Sequence, residues 1–140
     1  MNNSITVSQN IDASPEKIWD ALSIHHLMVQ WFFDNIPDFK AEVGFKTEFV
    51  VNSGYRDFTH MWEITEVVPL QKIVYNWRYK EYEGNSYVTF LIEENEGQSK
   101  VSVTADGIET FVDDIPEFKP ESCRGGWEYF MGRLEEFLKR

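Results

Sequence analysis

Apolar positions along this 140-residue chain follow two different periods, and the change from one to the other predicts its elements. Ile5, Val7 and Ile11 alternate with polar residues, interrupted at Gln9, and predict a first strand. Ser14, Pro15 and Glu16 then supply an N-cap, a first helical position and a charge suited to a helix N-terminus. A helix is therefore expected to about Leu22, with Ile18, Trp19, Ala21 and Leu22 facing inward. A second short helix is expected over His25–Trp31. From Phe45 the period falls to two, predicting strands at about 45–52, 56–67, 72–80, 86–94 and 99–106. Turns are placed at Asn52-Ser53-Gly54, Pro69, Glu83-Gly84-Asn85 and Asn95-Glu96-Gly97. Ile73, Tyr75, Trp77 and Tyr79, then Val88, Phe90 and Ile92, then Val101, Val103 and Ala105 mark the covered face of an antiparallel meander. After Asp106-Gly107 an acidic segment with Asp113, Asp114, Pro116, Glu117 and Pro120 reads as a solvated surface loop. The period of 3.6 returns over about 121–138, where Trp127, Phe130, Met131, Leu134, Phe137 and Leu138 form one apolar stripe.

One strand, two short helices, an antiparallel meander and a long amphipathic C-terminal helix are satisfied together when that helix lies across a curved sheet. The expected fold is therefore α+β, a helix-grip arrangement of about six strands wrapped on the last helix, in a single domain over 1–140. Composition narrows the partners. The 13 Lys and Arg against 24 Asp and Glu give a formal charge of −11, which repels phosphate backbones and anionic membranes, so nucleic acid and membrane partners are not expected. No signal-like or membrane-spanning apolar run is seen, and the lone Cys123 fits a reducing compartment, so a cytoplasmic protein, monomeric or weakly dimeric, is expected.

Several segments carry a resemblance: Ala13-Ser14-Pro15-Glu16-Lys17-Ile18-Trp19-Asp20-Ala21-Leu22, Trp31-Phe32, Val67-Val68-Pro69, Ile73-Val74-Tyr75-Asn76-Trp77 and Gly126-Trp127. In that order and spacing the chain resembles the START-like superfamily, which includes the major birch pollen allergen, polyketide cyclases and lipid-transfer domains. It is most similar to the branch named after the activator of the heat-shock chaperone ATPase. The resemblance implies a helix-grip fold and, for small stand-alone members, a cavity for hydrophobic molecules. Eukaryotic activators of the chaperone carry a further large N-terminal domain, which 140 residues have no room for.

The chain has 11 Phe, 6 Tyr and 5 Trp, large rings that leave irregular gaps unless something fills them. Trp31, Phe32, His60, Trp62, Tyr75, Trp77, Phe90, Trp127, Phe130 and Met131 are the expected ligand-binding residues of a cavity between sheet and last helix; the alternative is that these rings interlock as a solid core. The first two helices and the segment from Phe32 to Phe45 are expected to form its entrance, with Tyr75 and Arg78 as further polar groups. Gly125 and Gly126 sit inside a predicted helix. Either the backbone passes close to a strand there, which is the favoured reading, or the missing side chains leave room for a ligand. No metal site is expected, because His25 and His26 are adjacent and His60 stands alone. No cofactor fingerprint or catalytic triad motif occurs, so non-catalytic binding of a small hydrophobic or aromatic molecule is the expected function. A chaperone-associated regulator is the alternative. A cyclase-like enzyme drawing on His60, Tyr75, Glu48, Glu63 and Arg56 is the third reading, and Cys123 beside Arg124 is a candidate for a lowered thiol pKa, with an ordinary, partly buried cysteine favoured.

Overall fold

In the computed structural model, which describes residues 4–96 and 98–139, the strands pair in the order β1-β6-β5-β4-β3-β2, every neighbour antiparallel. The strands are β1 Ile5–Ile11, β2 Lys46–Asn52, β3 Asp57–Val68, β4 Lys72–Tyr79, β5 Tyr82–Asn95 and β6 Gln98–Asp106. Strands β2 to β6 form the meander, and β1 joins beside β6, so the two strands consecutive at the start of the chain lie at opposite edges. The connection between them carries α1 (Pro15–Ser23) and α2 (His25–Met28). The long helix α3 (Pro120–Leu138) closes the concave face, burying Trp127, Met131 and Leu134 against the sheet. This is the α+β helix-grip arrangement.

Local chemistry explains the elements. Ser14 accepts a hydrogen bond from the Lys17 amide at the start of α1, Pro15 occupies the first turn, and Ile18, Ala21 and Leu22 are buried. Helix α2 ends at Met28, three residues before Trp31, because the chain turns there to bury Trp31 and Phe32; the Trp31 indole N–H donates to the Ala21 carbonyl at 2.8 Å. Gln9 breaks the apolar alternation of β1 for a specific reason: its side chain donates to Glu135 of α3 at 2.6 Å.

Strand β5 departs from expectation. It starts at Tyr82, and Gly84 lies inside it rather than in a turn, at φ +136°. The turn is displaced to the short link between Tyr79 and Tyr82, beside a register shift in the β4–β5 pairing. A Cβ on Gly84 would stand 2.2 Å from Phe111 Cδ1, so the missing side chain lets that ring lie on the strand. The next predicted turn, Asn95-Glu96-Gly97, contains Gly97, which lies outside the described residues.

The acidic segment after β6 also differs from a plain solvated loop. It forms two short 3-10 turns, Ile108–Thr110 and Pro116–Phe118, and buries Ile108 and Phe111. Phe118 packs against Phe58, Tyr79, Tyr82 and Phe111, with ring centroids 5.0 to 5.4 Å apart. The segment is thus a strap whose Asp113 and Asp114 face water while its apolar residues hold it to the end of the sheet.

Candidate functional site: a cavity beneath the strap

Rings fill the middle of the space between sheet and α3. Phe32 stacks on Trp31 at 4.8 Å and on Trp62 at 5.5 Å, and meets Phe90 and Phe130 edge-on. Tyr75 stacks with Phe39, and Met131 is fully buried. The Trp62 indole N–H is buried without a hydrogen-bond acceptor among the described residues, and its ring meets those of Phe49 and Tyr75 in T-shaped contacts. Burial pushes the Tyr75 hydroxyl pKa far above its usual value.

Towards the strap the side chains shrink. Ser86 on β5, Ala105 on β6, and Cys123 and Gly126 on α3 stand where rings would otherwise meet, and a cavity of about 140 Å³ remains. Trp77 and Tyr79 from β4, Val88 from β5 and His60 from β3 wall it on the sheet side. Ser122, Trp127 and Phe130 wall it from α3, Phe33 from the chain after α2, and Ile108, Phe111, Glu117 and Phe118 from the strap.

Of the ten residues expected from sequence to bind a ligand, His60, Trp77, Trp127 and Phe130 line this space. Trp31, Phe32, Trp62, Tyr75, Phe90 and Met131 are packed with one another beyond it. The strap and the first turns of α3 border the cavity, while α1 and α2 do not and the segment 32–45 contributes Phe33 alone. Gly125 and Gly126 are not pressed against a strand, since no atom lies within 4 Å of a Cβ built at either. The strap residues escaped the sequence reading because their charges were read as a loop, although Ile108, Phe111, Ile115 and Phe118 were an apolar signal inside it.

The polar groups of the cavity are few and fixed. His60 is 5% exposed; its Nδ1 lies 3.1 Å from the Phe58 carbonyl, and its ring stacks on Phe49 at 5.0 Å. Burial lowers its pKa to about 4, against the opposing pull of that hydrogen bond and of Glu81, so the ring is neutral at pH 7. Trp77 Nε1–H donates to the Tyr79 hydroxyl at 2.9 Å, and burial raises the Tyr79 pKa strongly. The Ser86 hydroxyl donates to the Trp77 carbonyl at 2.7 Å. At the rim, Glu117 accepts from Ser53 at 2.6 Å and pairs with Arg56; the Ser53 bond, with help from Arg56, holds its carboxyl below the usual range. Cys123 is half-buried, and desolvation pushes its thiol up despite Arg124, the reverse of the lowered pKa considered from sequence.

The residues considered for catalysis are not brought together. Tyr75 is in the ring cluster, Arg56 is tied to Glu117, and Glu48 and Glu63 lie with Lys46 and Arg78 in a shallow depression apart from the cavity. Arg78 donates to Asn76 at 3.1 Å and does not line the cavity. Among the described residues no group of three or more His, Cys, Asp or Glu is placed to hold a metal ion, and no helix is long and apolar enough to cross a membrane.

Comparison with known proteins gives this geometry a context. The family model described as Activator of Hsp90 ATPase homolog 1-like protein matches residues 12–139. The crystal structure of protein MLL2253 from Mesorhizobium loti is 26% identical and aligns over 98% of this chain and 97% of its own, with a TM-score of 0.78. Protein CV1439 from Chromobacterium violaceum is 22% identical over 99% and 98%, with a TM-score of 0.79. The Aha1 dimer from Colwellia psychrerythraea is 22% identical over 96% and 95%, with a TM-score of 0.74. No curated protein matches the chain.

Proposed function

The chain belongs to the family of Activator of Hsp90 ATPase homolog 1-like proteins, and from that premise we propose that it binds, without catalysis, a small apolar or aromatic molecule in the cavity beneath the strap. One observation carries this reading: a space of about 140 Å³ persists beside tightly packed rings, walled largely by aromatic side chains and edged by a few polar groups. An engineered apolar cavity of about 150 Å³ takes up benzene, so the space suits one ring or a short aliphatic chain rather than a sterol. The strap closes over such a guest from one side and the first turns of α3 from the other.

A thermal-shift series of graded size, from single-ring aromatics through flavonoids to sterols and fatty acids, with native mass spectrometry of the purified protein, tests it. Single-ring compounds are expected to raise the melting temperature with concentration, by the equivalent of about 2.7 kcal/mol at a hundredfold excess over Kd. A flat series with no co-purified mass refutes the reading.

The family description and the Aha1 structure from Colwellia psychrerythraea support a second reading, a chaperone-associated regulator working through its surface. With a charge of −11, contact through that surface predicts a complex weakened by salt and stimulation of a chaperone ATPase. Absence of both sinks it.

A further inference from the structure

We infer that the guest of this cavity is a phenol, a single aromatic ring whose hydroxyl donates to His60 Nε2 and accepts from the Tyr79 hydroxyl. The inference rests on the binding reading above and deepens it. The Phe58 carbonyl can only accept, so His60 Nδ1 carries the ring proton in their 3.1 Å contact. In the neutral ring Nε2 is then an acceptor, and the one hydrogen bond of the ring among the described residues is made by Nδ1. Tyr79 is in the opposite condition. Its oxygen receives the Trp77 indole N–H, while its own O–H proton finds no acceptor among the described residues. The cavity therefore offers one acceptor and one donor on residues whose rings meet edge-on at 4.9 Å.

Only some functional groups satisfy both. A hydroxyl donates once and accepts once. A carboxylate cannot donate to Nε2, and it would enter past Glu117 into a protein of charge −11. An ammonium group donates but cannot accept from Tyr79. A hydrocarbon leaves both polar groups unpaired, which costs affinity in a buried site. The walls decide what carries the hydroxyl: Phe33, Trp77, Trp127 and Phe130 present ring edges and faces to a space of about 140 Å³, the size of one aromatic ring.

The test compares three compounds with one ring in common: phenol, which donates and accepts, anisole, which only accepts, and toluene, which does neither. Binding is measured by calorimetric titration, and the His60 ring nitrogens are followed by 15N NMR of histidine-labelled protein. Phenol is expected to bind at least about tenfold more tightly than the other two, and the Nε2 resonance is expected to move with phenol but not with toluene. In His60→Phe, phenol should fall to the level of toluene while toluene binding persists, which also reports an intact cavity. Tyr79→Phe keeps the ring and should weaken phenol selectively. Equal affinities for the three compounds, or an unmoved Nε2 resonance, overturn the phenol assignment and leave the binding reading in place. No binding of any of them overturns both.

Discussion

Two adjacent glycines in α3 offer the sharpest test of the cavity, because they are alike in backbone and differ in position. Glycine in a helix interior costs about 0.5 to 1 kcal/mol relative to alanine, so keeping both forgoes about 1 to 2 kcal/mol. Close packing does not explain that cost, since a Cβ at either would meet no atom within 4 Å. Gly125→Ala and Gly126→Ala should each stabilise the protein, raising Tm by about 2 to 4 °C for a chain of this size. Larger substitutions separate the two sites. Both are exposed, but Gly126 borders the cavity with Ser122, Cys123, Trp127 and Phe130, whereas Gly125 does not line it. Gly126→Leu should therefore send four carbons into the cavity, remain at least as stable as the parent, and lower affinity for a single-ring ligand at least about tenfold. Gly125→Leu should bind as the parent does. The measurements are calorimetric melting without ligand and titration with it. A Gly126→Leu protein less stable than the parent would show that the space is not free, and one that binds normally would show that the ligand sits elsewhere.

The remaining predictions concern groups around the same site. His60 titrates near pH 4 when folded and near 6.5 when unfolded, so the unfolded chain takes up the proton first. Stability should be full above pH 6.5 and fall between 6.5 and 4, by up to about 3 kcal/mol. Urea titrations of the parent and of His60→Phe across that window should diverge, and parallel curves would contradict the burial argument. Gly84→Ala should cost at least about 2 kcal/mol, because φ +136° strains any other residue and the Phe111 ring must leave its place, which a chemical denaturation midpoint reports; a neutral change refutes the close approach. Cys123 should react with iodoacetamide at pH 8 at least about tenfold more slowly than an exposed thiol, and more slowly still with the cavity occupied. Alkylation as fast as that of a free cysteine would place the thiol outside the cavity wall.

Much of the fold was legible because it is written in local periods. Ser14-Pro15-Glu16 announced α1 through capping chemistry, and Tyr75, Trp77, Val88 and Phe90 lie on the covered face that alternation assigned to them. Gly84 was misread because a glycine beside Asn85 looks like a turn, and only Phe111, 27 residues away in sequence, explains why the strand needs glycine there. The strap was half legible: its charges read as solvent-facing, while Ile108, Phe111 and Phe118 carried the contrary signal.

The candidate site divides along the same line. Sequence by itself determined which residues face the concave side, since side-chain direction in a strand or helix follows from the period and needs no partner. It also set the net charge of −11, which disfavours anionic partners. Only the tertiary structure decided which of those inward residues touch one another and which border a space. Phe32 and Trp62 are enclosed by rings, whereas His60, Trp77, Trp127 and Phe130 meet rings on one side and share with Ala105, Ser86 and Gly126 the border of a space. Whether a space is filled depends on the summed volumes of residues distant in sequence, and no single stretch of the chain contains that sum.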